Sequence, residues 1–203
     1  AVRVWLSQYR AGGVAWFDNV FLEELGPVTR SRNLLLNSSF EHEVLPGWPD
    51  LWWPDGPVRP RIGAPGAAWG TTEEDAWHVR RCLKIVRPGS ADGRVYSTLN
   101  HSPRSVAGQV YTLSLYARAD RPGRKLRMQL GPATQVVELS DQWQRYGMSN
   151  QLRGSYDRGR SEPLWTSLYC LDGEGVYYLD AVQIEAGEQS SEYAEDDWPG
   201  ATP

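Results

Sequence analysis

Four tryptophans, Trp52, Trp53, Trp69 and Trp77, lie in or beside a stretch too rich in proline and glycine for a core strand, and a fifth, Trp165, falls four residues before Tyr169. An indole presents an apolar face with a polar N–H at its edge. It can therefore stack on the flat C–H surface of a sugar ring while nearby donors and acceptors serve the hydroxyls, the general form of a ligand platform. If 163–171 is a strand, Trp165 and Tyr169 share one face, and Leu164, Thr166, Leu168 and Cys170 share the other. The same alternation sets Arg127 and Gln129 opposite Leu126, Met128 and Leu130. Trp52, Trp53, Trp69, Trp77, Trp165, Tyr169, Arg127 and Gln129 are thus candidate carbohydrate-binding residues. The bland alternatives are loops pinned by their own aromatic rings and strand faces that are simply solvated.

Other chemistry finds little support. Glu73-Glu74-Asp75 and Asp196-Asp197 are acidic runs of the kind that usually lies on solvated surface. His42, His78 and His101 have no zinc-type spacing. Neither a Gly-x-Ser-x-Gly elbow nor a glycine-rich phosphate loop occurs. No catalytic residue is assigned, and the chain reads as a non-enzyme, compatible with being one piece of a multimodular glycoside hydrolase. Cys82 and Cys170 match no metal or redox spacing, which leaves buried free thiols or a disulfide.

The elements that must hold these residues are strands. Helical periodicity is absent, and short alternating segments read at 78–87, 93–99, 109–119, 124–130, 134–139, 143–152, 163–171 and 175–186, with an apolar strand at Asn33–Glu41. Residues 45–70 hold six Pro, five Gly and four Trp and read as a long loop. Many short strands with turn signals between them predict an all-β antiparallel sandwich. The chain has 203 residues, a formal net charge of −4, and 10 Trp and 10 Tyr against 3 Phe. That charge argues against a nucleic-acid partner or an anionic membrane surface. With no long apolar run, membrane insertion by a helix is not expected.

One segment is repeated. Gly13-Val14-Ala15-Trp16-Phe17-Asp18-Asn19-Val20 is echoed by Gly175-Val176-Tyr177-Tyr178-Leu179-Asp180-Ala181-Val182. A repeat with a period near the chain length predicts the tail of one module followed by a whole second one. The expected domains are a terminal hairpin at 1–26, a sandwich at 27–190 and a polar linker at 191–203. An isolated hairpin is marginal in water, so Trp5, Trp16 or Phe21 is expected to contact a surface outside it.

Five motifs carry a resemblance to a known group. Asn33-Leu34-Leu35-Leu36-Asn37-Ser38-Ser39-Phe40-Glu41, followed by Gly47-Trp48, resembles the opening of jelly-roll carbohydrate-binding modules of the family 4, 9 and 22 type, which have a galactose-binding-domain-like sandwich. Cys82–Val86, Gly108–Asp120, Trp143–Tyr146 and Leu179–Glu185 resemble later strands in the same order. Two departures stand out. Ala181 replaces a second aspartate, and Val79-Arg80-Arg81-Cys82 replaces Gly-x-x-Ser.

The resemblance implies a fold and a set of roles. Trp48 and Trp143 fall at positions usually in the core. A structural calcium is implied where the first and last strands meet, held by the Ser39 carbonyl and the Glu41 and Asp180 carboxylates, the hard oxygens that calcium prefers. The implied function is non-catalytic polysaccharide binding within a larger extracellular or cell-surface protein. Its partners would be a glycan and neighbouring modules of the same array. The alternative is a structural sandwich repeat of a surface protein or fibre that binds no sugar.

Overall fold

A computed structural model describes residues 32–44, 46–55, 69–87, 93–97, 105–106, 108–152 and 164–195. The chain divides into two compact units, Ala1–Arg30 and Ser31–Pro203, and every described residue belongs to the second. The expected hairpin at 1–26, with its contacts from Trp5, Trp16 or Phe21, lies outside the described residues.

Ten strands follow in chain order: β1 (Trp52–Asp55), β2 (Trp69–Thr72), β3 (Cys82–Arg87), β4 (Gly93–Ser97), β5 (Val110–Ala119), β6 (Arg124–Leu130), β7 (Ala133–Leu139), β8 (Gln144–Gln151), β9 (Thr166–Cys170) and β10 (Gly175–Ala186). They form two five-stranded antiparallel sheets, ordered β1-β4-β9-β6-β7 and β2-β3-β10-β5-β8. Except at β2-β3 and β6-β7, each strand is followed by one in the opposite sheet, the winding of a jelly roll. The all-β antiparallel sandwich expected from the alternation is the architecture found.

Period-two patterning decides which side chains enter the core. In β6, Leu126, Met128 and Leu130 are fully buried while Lys125 is exposed. Leu113, Leu115 and Ala117 of β5 do the same from the facing sheet. Phe40 and Trp52 lie at the centre with ring centroids 5.1 Å apart, and Trp69, Tyr177 and Leu179 pack into the same cluster. Inner faces of two sheets about 10 Å apart interdigitate in this way. β10 is buried along nearly its whole length because it sits mid-sheet between β3 and β5.

Three expectations need correction. Residues 33–41 form no strand, because Asn37 (φ 49°) and Phe40 (φ 60°) take left-handed backbone that a strand cannot contain. Two asparagine amides hold the segment instead. Asn33 Nδ2 donates to the Val182 carbonyl and its Oδ1 accepts from Leu35 and Ile184 N–H, while Asn37 Nδ2 donates to the His42 and Asp50 carbonyls. Second, the region read as loop at 45–70 contains β1 and opens into β2, whose apolar Trp52 and Trp69 fill the core. Third, the tail does not leave the domain at 190. Ser191 bonds Glu185, Ala194 N–H donates to Gln183 and Tyr193 meets Ser38, so 191–195 lie along the last strand.

Candidate functional site

The outward face of the β1-β4-β9-β6-β7 sheet gathers part of the expected aromatic set. Trp53 of β1 is 48% exposed and Trp165, just before β9, is 41% exposed. In register, Trp53 lies opposite Tyr96, Tyr96 opposite Ser167, and Ser167 opposite Gln129. Trp165 is one side-chain repeat from Ser167, so the two indoles stand about 10 Å apart across the strands and about 7 Å along them. Ser167 and Tyr169 follow Trp165 along β9, and Gln129 and Arg127 lie one strand further from Trp53 on β6, with Tyr169 directly opposite Arg127. The Arg127 guanidinium sits 4.0 Å over the Tyr169 ring, so one face of that ring is already covered and stacking falls to the two indoles. Gln129 Nε2 donates to the Gly131 carbonyl, which fixes the amide in place.

The buried polar atoms of this face are also informative. Ser167 Oγ and Arg127 Nε are enclosed and take no hydrogen bond among the described residues. Ser167 is not among the residues singled out from the sequence, although the alternation that selects 165 and 169 runs through it.

The remaining candidates stand elsewhere. Trp52 and Trp69 are 0% and 2% exposed, and Trp52 Nε1 donates to the Asn37 carbonyl. As core residues they are out of a ligand's reach, because β1 and β2 run through what had read as loop and turn these side chains inward. Trp77 is exposed but belongs to the other sheet, where it stacks flat on Tyr116 of β5 at 3.4 Å between centroids and 12° between planes. Trp48 packs edge-on between Trp53 and Trp69 at 5.1 and 5.3 Å. Trp143 is only half-buried, its indole N–H held by the Asp75 carbonyl.

Two of the expected metal residues, Glu41 and Asp180, are held by one loop where residues 38–41 meet β10. Asp180 is fully buried at a bulge whose next residue, Ala181, has φ 48°. Its Oδ2 accepts from Trp77 and His78 N–H, and its Oδ1 from Ala181 N–H. Glu41 Oε1 accepts from Arg80 and Arg81 N–H at 2.8 and 2.6 Å. Loop 77–81 therefore cradles both carboxylates with four backbone donors. Even so, burial, with the Glu41 charge adding to it, pushes the Asp180 carboxyl up to about 7. The Arg81 guanidinium donates to the Glu41 backbone carbonyl at 2.8 Å, while Glu41 Oε2 takes no hydrogen bond among the described residues. Two hard carboxylates held by one loop, one with an oxygen left open, are the donor type that calcium takes. Among the described residues no three His, Cys, Asp or Glu side chains gather at one point, so the rest of such a shell would have to come from backbone carbonyls.

Both cysteines are free and buried. Cys82 is pushed up to about 12 by desolvation, with Asp180 adding, so neither reactivity nor a disulfide enters the site.

Solved structures with this architecture were found for most of the chain. A family 61 carbohydrate-binding module in complex with β-1,4-galactotriose superposes with a TM-score of 0.55 at 15% identity, covering 77% of this chain and all of that one. The family 22 xylan-binding domain from Paenibacillus barcinonensis gives 0.51 at 19% identity, with 81% and 100% covered. The fold is the jelly roll of carbohydrate-binding modules. A cyclase from Fischerella shares it at TM-score 0.52 and 12% identity, over 77% of this chain and 97% of that one. At these identities the likeness establishes architecture, and the chemistry must be argued from side chains. No family model and no curated protein sequence matches the chain.

Proposed function

We propose that the sandwich is a non-catalytic carbohydrate-binding module that grips a polysaccharide on the outward face of the β1-β4-β9-β6-β7 sheet. The observation that carries this reading is the pair of exposed indoles, Trp53 and Trp165, on one face with Tyr169 further along β9 and with Arg127 and Gln129 on the adjoining β6. The rings supply apolar platforms, and the polar side chains meet hydroxyls along a bound chain. Galactotriose and xylan in the similar modules are consistent with a glycan as the partner class.

A binding role agrees better with this face than catalysis. Hydrolysis of a glycosidic bond takes two carboxylates about 5–10 Å apart. Among the described side chains of this sheet's strands the one carboxylate is Glu138, on edge strand β7. In this reading the parent protein is extracellular and multimodular, and neighbouring modules raise affinity through effective concentration. A calcium held by Glu41, Asp180 and the Ser39 carbonyl would lock the opening segment to β10 and set a cation against two neighbouring carboxylates.

Affinity electrophoresis through gels containing plant, algal and bacterial polysaccharides tests the reading. At least one polysaccharide should retard the chain, and Trp53→Ala with Trp165→Ala should abolish the retardation. No retardation across the set would favour a structural repeat instead. For the metal, calcium should raise the melting temperature by several degrees and chelation should reverse it. An unchanged melting curve would refute the calcium.

A further inference from the structure

The opposite kind of site, a pocket in place of a groove, opens at one end of the sandwich. It is a broadly open hollow of about 720 Å³ where β3 ends, β10 begins, and the β5-β6 and β9-β10 turns meet. That is within the range of small-ligand sites. Its charged lining, among the described residues, is Arg87, Arg121 and Arg124 against Asp120, Asp172 and Glu174, and none of these belongs to the Trp53–Trp165 face.

Most of this lining is fixed. Arg124, 8% exposed, forks onto Asp120 through Nε and Nη2, both at 2.9 Å. Arg87, 7% exposed, donates to the Cys170 and Asp172 carbonyls. Asp172 Oδ2 is held by Lys125 N–H and the Tyr177 hydroxyl. Two members are less tied: Arg121 and Glu174 are exposed and carry no hydrogen bond or ion pair among the described residues, although the Arg121 charge acts on neighbouring Asp120. A rigid polar wall thus stands beside one exposed guanidinium and one exposed carboxylate.

The balance of charge selects the ligand class. Three arginines and three acids leave the described lining formally neutral. A phosphate or sulfate would meet three carboxylates, and a simple cation three guanidiniums. A neutral polyol uses both signs, because each hydroxyl donates to a carboxylate and accepts from a guanidinium. Among the described residues no aromatic ring lines the pocket, so it offers no stacking platform for the middle of a chain. We propose that this pocket is a second carbohydrate site that takes the terminal residue of a glycan, independent of the face. The choice of a sugar over other polyols rests on the function proposed above. The face would hold a chain along its length, and the pocket would hold an end.

Isothermal titration of the whole chain with β-1,4-galactotriose, xylotriose and cellotriose separates the two sites. The variants are Arg121→Ala/Glu174→Ala and Trp53→Ala/Trp165→Ala, each checked for an unchanged melting temperature. At least one trisaccharide should bind the tryptophan variant, and the Arg121→Ala/Glu174→Ala change should weaken that binding tenfold or more. If trisaccharide binding disappears with the tryptophans and ignores Arg121 and Glu174, the pocket is refuted and the face stands. Retention on a polysaccharide gel with no trisaccharide bound has the same meaning. Failure of every sugar in both formats overturns pocket and face together.

Discussion

Val79 should be improved by losing its side chain. It has φ 52°, in the left-handed region, and is 72% exposed. A β-branched residue there is a true outlier, and left-handed backbone costs an L-residue about 1–2 kcal/mol. Glycine adopts the same conformation without that clash, but its freer unfolded chain returns about 0.4–1 kcal/mol. The exposed side chain contributes little burial to set against the gain. Val79→Gly is therefore expected to stabilise the fold by up to about 1.6 kcal/mol, a rise of up to about 6 °C in melting temperature for a chain of this size. Differential scanning calorimetry or a urea midpoint reads it directly. The strain persists because the N–H groups of Trp77, His78, Arg80 and Arg81 on either side are engaged by Asp180 and Glu41. A Val79→Gly chain that melts at or below the parent temperature would refute the argument, showing that the cradle geometry carries no recoverable strain.

Three further outcomes follow from the packing. Trp52→Ala empties a fully buried site and should cost about 3–5 kcal/mol, whereas Trp165→Ala should change stability by less than about 0.5 kcal/mol while weakening glycan retention; equal losses of stability would contradict the assignment of core and face. A methyl on Gly175 would lie 2.6–2.8 Å from the Arg124 guanidinium, so Gly175→Ala must push Arg124 off its fork on Asp120. Allowing for the part-exposed Asp120, the cost should be about 1 kcal/mol in a urea midpoint, and smaller in an Arg124→Ala background. The Asp120 carboxyl is held below its ordinary value by the Arg124 hydrogen bonds, so its stabilisation is present above the unfolded value of 3.8 and fades as pH falls through the folded one. Asp120→Asn should accordingly flatten the acid limb of a stability–pH profile, and a limb of unchanged steepness would count against the pair.

The sequence made strands legible where their apolar pattern was regular and bounded by turn residues. β6 and β10 were read to their end residues, because alternation in one and a bounded apolar run in the other leave little choice. The outward placement of Trp165, Tyr169, Arg127 and Gln129 came from the same period. Residues 33–41 defeated the pattern, since side-chain amides of Asn33 and Asn37 replace the ladder bonds that an apolar run promises. The tail beyond Glu185 was also opaque, as its polar residues find partners only on the finished surface.

What the sequence determined by itself was local: period two, turn residues, and hence the sandwich and the face on which each regular strand presents its side chains. Only the tertiary structure sorted the tryptophans, sending Trp52 and Trp69 inward, Trp77 to the opposite sheet, and Trp53 to stand with Trp165. Composition cannot make that division. A ring in a proline-rich stretch carries no period of its own, and its direction is set by whichever strand the stretch pairs with, here β4 for Trp53 and β3 for Trp69. The end pocket is the extreme case. Its arginines and acids come from three separate parts of the chain, and they meet because two sheets close over one core.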